Sequence, residues 1–214
     1  MKRFAIVLLL FLSACFAPRP DLPSPVAAET RKLLVVYTGN LLAELKPCGC
    51  AKEEDQGGIE RRMQYLNDIR KSKANLLLVD TGDHFKEPTR QGKLKAQTLM
   101  TATEQMGYDA VALGERDLVY GSKFLGNHSL PLISGNISLE NLPLQKTRIK
   151  KFSNGIKVAV LAVVDPDLFY LKNHAGLSIA DPEQIVSQKI AGIKKSADII
   201  VLLTHMGREK ALKY

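Results

Sequence analysis

The sequence lacks an apolar run long enough to cross a membrane. Its run from Phe4 to Leu12 is roughly half the length of a transmembrane helix, which needs about 20 apolar residues. Two basic residues precede this run, and small residues lead from it to Cys15. A basic flank, an apolar core and a small-residue cleavage site together predict a secretory signal peptide over residues 1–14.

Cysteine is scarce, with three residues in the chain. The tetrapeptide LSAC that ends at Cys15 resembles the bacterial lipobox, in which cleavage leaves a diacylated N-terminal cysteine. We therefore expect an exported bacterial lipoprotein, anchored to a membrane through lipidated Cys15 and facing the periplasm or the cell surface. A plain secreted protein with an incidental cysteine is the alternative. Residues 15–31 are rich in proline and alanine and predict a semi-extended tether, which leaves 32–214 as the folded domain.

Clustered positive charge is also absent. The formal charge of +8 comes from lysines and arginines that are scattered along the chain, and removal of Lys2 and Arg3 with the signal lowers it to 8 − 2 = +6. This scatter is typical of solvated surfaces, so no nucleic-acid partner is expected, and attraction of acidic ligands or anionic surfaces is the alternative.

The sequence contains no internal repeat. Predicted apolar strands and amphipathic helices alternate along it. The predicted strands cover 32–37, 75–80, 108–113, 131–137, 156–165 and 197–205. The predicted helices cover 57–72, 92–107 and 181–196, with Leu94, Leu99 and Met106 as core contacts of the second helix. Asp181 is the expected N-cap of the third helix, and Gly155 suggests a hairpin turn. This order predicts an α/β protein with a parallel or mixed sheet.

Polar residues follow almost every predicted strand. The segments are TGN, TGDHF, GERD, GNI, DPD and THMG. In open α/β sheets, ligands bind beyond the carboxyl ends of the strands. Carboxylate and amide oxygens that converge there with imidazole suit a divalent metal ion.

These segments, in this order, resemble the N-terminal metallophosphoesterase domain of the 5'-nucleotidase family, one of the calcineurin-like phosphoesterases. GGIERR, VDTGDHF and THMG carry the resemblance, which covers roughly residues 32–214. It implies layered β-sheets flanked by helices, divalent ions such as Mn, Zn, Fe or Mg, and a nucleotide or small phosphoester as substrate. It also implies that Asp83 bridges metal ions and that His205 is an imidazole ligand. Asn136, in SGNI, is a candidate substrate-binding residue.

The sequence departs from the family pattern at several ligand positions. Asn40, a candidate metal ligand, stands where the family has a metal-binding aspartate, and Leu42 stands where it has a histidine. GERD replaces GNHE, which makes Glu115 a candidate metal ligand and makes Arg116 and Asp117 candidate catalytic residues. The family's final GH-x-H is absent before Tyr214, so we expect a C-terminally truncated domain. Activity is expected to be reduced or lost, because two-metal hydrolysis needs a full ligand set for each ion.

Cys48 and Cys50 lie in PCGC, within the loop where the family has its first metal ligands. They are expected to form a strained disulfide, to bind metal or act in redox chemistry, or to remain free thiols. This loop is therefore expected to have exchanged catalysis for a cysteine clip.

Other polar residues have structural explanations. His84 is expected to be a loop residue, and Asp165 and Asp167 are expected to shape a turn; a role in the site is the alternative for all three. Arg116 and Asp117 are expected to form a salt bridge as an alternative to a role in the site. Three functions stay open: a weak or inactive phosphoester hydrolase, a non-catalytic lipoprotein that binds an anionic ligand or serves in assembly, and a thiol-redox or metal-handling protein.

Overall fold

The computed structural model of the protein describes residues 31–47, 49, 57–72, 75–169 and 176–214. The predictions for the signal peptide, the tether, Cys15, Cys48 and Cys50 lie outside these residues. None of the described helices combines the length and the apolar character that a membrane crossing requires.

The described residues form nine strands and five α-helices. The strands are β1 (Leu34–Thr38), β2 (Leu76–Asp80), β3 (Ala110–Ala112), β4 (Leu132–Ile133), β5 (Ile137–Leu139), β6 (Arg148–Lys151), β7 (Lys157–Val164), β8 (Leu177–Ile179) and β9 (Ile199–His205). The helices are α1 (Ile59–Lys71), α2 (Arg90–Met106), α3 (Ser122–Gly126), α4 (Pro182–Ile193) and α5 (Arg208–Ala211). Two short 3₁₀ helices span Glu115–Leu118 and Pro166–Leu168.

Two sheets form the centre of the domain. β1, β2, β3 and β4 make a parallel sheet in that order, and a second sheet has the order β6-β7-β9. In the second sheet β7 pairs with β9 in parallel and with β6 in an antiparallel hairpin. The hairpin confirms the turn predicted at Gly155. β5 and β8 form a separate antiparallel pair.

Apolar side chains join these layers. One cluster packs α1 and α2 against the four-stranded sheet, a second fills the space between the two sheets, and a third packs α4 on the outer face of β7 and β9. Full burial of one such side chain stabilises the fold by about 1.5–3 kcal/mol. The order is therefore helix, sheet, sheet, helix, which is the layered α/β class that the sequence predicted.

The local signals have mixed outcomes. The Asp181 side chain accepts hydrogen bonds from the backbone of Glu183 and Gln184, which confirms it as the N-cap of α4. Leu99 and Met106 are buried, but Leu94 is 60% exposed, so the prediction of a core contact at Leu94 is wrong. The predicted strand 131–137 is also wrong in one respect, because it divides into β4 and the start of β5, which belong to different sheets.

Candidate metal centre

Three predicted ligands meet at the carboxyl ends of the strands. Asp83 lies in the turn after β2, Glu115 begins the 3₁₀ helix after β3, and His205 is the last residue of β9. One ligand atom from each residue lies within 4.8 Å of the others. The ends of β2 and β3 in one sheet and of β9 in the other therefore bring together residues that are far apart in sequence.

The His205 ring is oriented by a backbone carbonyl. Its Nδ1 atom lies 3.0 Å from the carbonyl oxygen of Thr81, which can only accept a hydrogen bond, so Nδ1 carries the hydrogen. The Nε2 atom lies 2.9 Å from Glu115 Oε2 and 3.5 Å from Asp83 Oδ1. A histidine that donates from one nitrogen to a carbonyl presents the other nitrogen as a metal ligand.

Asp83 is held in an uncommon backbone conformation. Its φ of 62° lies in the left-handed region, and its side chain is almost wholly buried. Burial raises the pKa of Asp83 to about 6, although the backbone N–H of Arg116, which donates to Oδ1 at 3.0 Å, and the charge of His205 favour the ionised form. A divalent cation at this position would favour the carboxylate further.

Arg116 lies beside both carboxylates. Its Nε atom is 3.7 Å from Asp83 Oδ2 and 3.8 Å from Glu115 Oε1, and the side chain is 42% exposed. Its Nη1 atom also donates to the carbonyl of Lys86 at 3.4 Å. The alternative pairing of Arg116 with Asp117 is wrong, since Asp117 is engaged elsewhere.

Asp117 and His84 form a buried pair behind the cluster. Both side chains are 1% exposed or less, and His84 Nδ1 lies 2.9 Å from Asp117 Oδ1. Asp117 also accepts hydrogen bonds from the backbone N–H groups of Asp83, His84 and Gly114, at 2.7–2.9 Å. Asp117 therefore does not reach the cleft, which corrects the expectation that it is catalytic. His84 is likewise a buried partner and not an ordinary loop residue.

The charges around His84 explain its titration. Burial alone would lower the pKa of His84, but the carboxylates of Asp80 and Asp117 outweigh it and raise the pKa to about 9. For Asp117, burial acts to raise the pKa, while the charge and hydrogen bond of His84 and the backbone donors hold it below its usual range. The Nε2 atom of His84 lies 3.2 Å from Asp80 Oδ1 but without hydrogen-bond geometry.

The loop after β1 packs directly on the Asp83 turn. The backbone N–H of Asn40 donates to the carbonyl of Gly82, and that of Leu42 donates to the carbonyl of Asp83. Asn40 and Leu42 both have positive φ, at 51° and 48°. The loop thus lies where the resemblance places the first metal ligands, but Leu42 brings an apolar side chain to its position.

Asn136 does not have a free amide. Its Nδ2 atom donates to the carbonyl oxygens of Val164 and Ala180, and its Oδ1 atom accepts from the N–H of Val164. The side chain is buried and joins β5 to the end of β7. This placement corrects the expectation of a substrate-binding Asn136.

Asp165 and Asp167 shape a turn, as expected, and have one further partner. Asp165 accepts from the backbone N–H of Asp167 at 3.0 Å, and Lys210 pairs with both carboxylates, at 2.6 and 2.8 Å. Sequence reasoning missed Lys210, and equally the Thr81 carbonyl that orients His205. Neither carries a sequence signal, because one is a lone lysine and the other is a backbone atom.

The donor set fits a divalent ion. Donors around one ion with bonds of about 2.1 Å are separated by roughly 3.0–3.4 Å. The distances from His205 Nε2 to Glu115 and to Asp83, 2.9 and 3.5 Å, are close to this range. Two carboxylates and one imidazole suit Zn, Mn or Fe, and three protein ligands leave coordination positions open, as in catalytic sites.

Comparison with known proteins shows what the chain is similar to. The 5'-nucleotidase of Diplobatis ommata is 24% identical over 185 residues, which are 79% of this chain and 31% of that protein. The structure of a 5'-nucleotidase precursor from Thermus thermophilus matches with a TM-score of 0.73 at 21% identity, over 84% of this chain and 38% of that one. The calcineurin-like phosphoesterase YfkN from Bacillus subtilis matches with a TM-score of 0.63 at 23% identity, over 82% of this chain and 62% of that one. No family model matches.

The chain therefore resembles 5'-nucleotidases and a calcineurin-like phosphoesterase in sequence and in fold, and the fold class and the resemblance predicted from the sequence are confirmed. It spans less than a third of the length of the curated 5'-nucleotidases to which it aligns.

Proposed function

We propose that the domain binds one divalent metal ion through Asp83, Glu115 and His205 and uses this site on phosphoesters of the nucleotide class. The observation that carries the proposal is the convergence of three ligand atoms within 4.8 Å at the ends of β2, β3 and β9. The 5'-nucleotidase names of the relatives support the substrate class.

The ion would polarise a phosphoryl oxygen and neutralise part of its charge. Arg116 supplies a second, permanent cation beside the carboxylates. Because its guanidinium is partly exposed and lies 3.7–3.8 Å from both carboxylates, it can donate hydrogen bonds to a phosphate held at the same place. Asp83, Glu115 and His205 would hold the ion, Arg116 binds and orients the ester, and the Thr81 carbonyl keeps the His205 ring in position.

We further propose that hydrolysis is slow or absent. Asn40 lacks the charge of an aspartate, and Leu42 offers no ligand atom, so the second ion of the family mechanism has lost two of its ligands. Arg116 also replaces the histidine that the family uses in catalysis. A non-catalytic receptor for a phosphorylated ligand is the second candidate, and the guanidinium at the cleft favours it.

The first test is the metal content of the full chain purified in detergent, as wild type and as Asp83→Asn. We expect about one equivalent of Mn, Fe or Zn in the wild type and loss of the metal in the variant. Asp109→Asn is the matched control, since Asp109 is a partly buried carboxylate paired with Lys150 at the start of β3. An absence of metal from the wild type would overturn the proposal.

Turnover of a chromogenic phosphomonoester separates the two candidates. Slow metal-dependent turnover that disappears in Asp83→Asn identifies a hydrolase. Phosphate binding without turnover identifies a receptor. Metal lost in a Cys48→Ser/Cys50→Ser double variant but retained in Asp83→Asn would instead assign the metal to the cysteines.

The export signal is a separate proposal, because residues 1–30 lie outside the described part of the chain. We propose that the mature protein begins at a diacylated Cys15 and is held at a membrane facing the periplasm or the cell surface. Mass spectrometry of the N-terminal peptide tests this directly. The mass of two acyl chains and a glyceryl group on Cys15, lost in Cys15→Ser, is expected, whereas an unmodified N-terminus at another residue would contradict it.

A further inference from the structure

One carboxylate connects the two loops that carry the proposed acidic ligands. Asp117 is fully buried, and each of its two carboxylate oxygens accepts two hydrogen bonds. Oδ2 accepts from the backbone N–H of Asp83 at 2.9 Å and from that of Gly114 at 2.8 Å. Oδ1 accepts from the backbone N–H of His84 at 2.7 Å and contacts its Nδ1 at 2.9 Å. The turn after β2 is thereby tied to the start of the segment that contains Glu115.

His84 extends this connection to the other side of the turn. Its Nε2 atom lies 3.2 Å from Asp80 Oδ1, and that same oxygen accepts from the backbone N–H of Gly82 at 2.7 Å. The second oxygen of Asp80 accepts from the Thr38 hydroxyl. The turn from Gly82 to His84 is therefore held at both ends by buried carboxylates, with the His84 ring between them.

The Asp83 turn needs such support. A non-glycine residue in the left-handed region is under local strain, and that conformation persists only where its surroundings hold it. The N–H groups of Asp83 and His84 both point at Asp117, which fixes the direction of the turn and therefore that of the Asp83 carboxylate. Gly114 is held by the same oxygen as Asp83, so the spacing between the two ligand loops is fixed as well.

We infer that Asp117 and His84 are positioning residues that set the affinity of the Asp83–Glu115–His205 site for divalent metal, although neither lies among the proposed ligands. The inference rests on the proposed function, because it assumes that this site holds metal. Groups that orient metal ligands typically change metal affinity by about 10–100-fold when they are altered. Asp117→Asn would replace one acceptor oxygen by an amide donor that opposes the backbone N–H groups.

The experiment compares Asp117→Asn, His84→Asn and the control Asp109→Asn in the full chain. Asp109 also accepts a buried backbone N–H, that of Leu78 at 2.9 Å, but lies at the opposite end of β3. Two quantities are measured: hydrogen exchange at the amides of Asp83, His84 and Gly114 without metal, and the dissociation constant for Co²⁺, whose visible spectrum also reports ligand geometry.

We expect Asp117→Asn to lose protection at these three amides, to bind Co²⁺ about 10–100-fold more weakly and to alter its spectrum. His84→Asn keeps the backbone bonds of Asp117, so its Co²⁺ affinity should fall by less, about 3–10-fold. Asp109→Asn should bind Co²⁺ as the wild type does, even though it too is less stable.

A folded Asp117→Asn protein that binds Co²⁺ with wild-type affinity and spectrum overturns the inference and leaves the proposed metal site intact. An equal loss of affinity in Asp109→Asn also overturns it, because the effect would then follow general destabilisation. If Asp117→Asn does not fold, unchanged Co²⁺ binding by His84→Asn decides against the inference. A wild type that binds no Co²⁺ removes the proposed function itself, together with the inference.

Discussion

The Nε2 atom of His205 lies 2.9 Å from a carboxylate oxygen of Glu115, although the two residues are 90 positions apart in sequence. The contact joins the end of one sheet to the end of the other. The resemblance places a neutral asparagine where this chain has Glu115. The additional negative charge increases the attraction for a cation beside Asp83 and His205.

The first prediction concerns this glutamate. Glu115→Gln keeps the size of the side chain but removes its charge, so the affinity of the metal-free protein for Mn²⁺ should fall by about 10-fold or more. Titration calorimetry measures the change. Glu104→Gln, on α2 and paired with His128, is the control, and equal effects of the two variants would assign the loss to net charge alone.

The second prediction uses the close packing at Gly114. A methyl group there would collide with the Asp83 carboxylate and would lie 2.7 Å from His205 Nε2. Gly114→Ala should therefore lose most metal binding and be destabilised by about 1–3 kcal/mol. Gly192→Ala is the matched control, because a methyl group at that helical position contacts nothing within 4 Å and should stabilise the protein by about 0.5–1 kcal/mol. Wild-type metal content in Gly114→Ala would contradict the proposed location of the site.

The sequence predicted much of the fold because the signals for it are local. Apolar runs, helix caps and the glycine in the hairpin each determine the conformation of residues only a few positions away. Asp83 and His205 could be identified because Asp83 lies in the turn after β2 and His205 ends β9, and parallel strands bring their carboxyl ends together. Leu94 was misplaced because it lies five residues before Leu99, about 140° around the helix from it, and therefore on a different face of α2 from the buried residues.

The roles of Asp117 and Asn136 could not be predicted in the same way. Each satisfies backbone groups that come from distant segments, and a sequence does not show which N–H groups a buried carboxylate or amide will meet. A polar residue beside a motif therefore looks like part of the site. Burial, which only the folded structure gives, separates the residues that face the cleft from those that support it.

The third prediction separates the roles of Arg116 in phosphate binding and in metal binding. Arg116→Ala removes the guanidinium but keeps the backbone N–H that donates to Asp83. Metal content should be unchanged, while inorganic phosphate should bind the metal-loaded protein about 10–100-fold more weakly, since a hydrogen bond to a charged group contributes about 1.5–3 kcal/mol. Lys194→Ala, on the exposed end of α4, controls for the loss of one positive charge. Unchanged phosphate affinity in Arg116→Ala would remove this residue from the binding site.

The fourth prediction concerns pH and His84. Its folded pKa of about 9 lies above the ordinary value of 6.5, so its stabilising effect is complete below about pH 6.5 and is lost as the pH rises through 9. The free energy of unfolding of the metal-free protein should fall by up to about 3 kcal/mol over this window. Asp83, with a pKa of about 6, is already ionised there and contributes little to the slope. Chemical denaturation between pH 7 and 9 measures the effect, and the slope should be much smaller in His84→Asn. A slope that is equal in the two proteins would show that His84 does not cause it.

The fifth prediction is a gain of function in the loop after β1. Asn40 and Leu42 have left-handed backbone angles, which aspartate and histidine adopt more readily than leucine does, and their N–H groups already hold the loop against Gly82 and Asp83. Asn40→Asp combined with Leu42→His should therefore place a new carboxylate and a new imidazole beside Asp83 without rebuilding the loop. Metal content should rise from about one to about two equivalents, and phosphomonoester turnover should increase by about 10-fold or more, because a second ion stabilises the charge of the transition state.

Asn40→Asp combined with Leu42→Gln keeps the polarity but not the imidazole, and should remain near one equivalent. If the histidine variant folds and still binds a single ion, the loop no longer has the geometry of a metal-binding loop, and its present role lies in supporting the Asp83 turn.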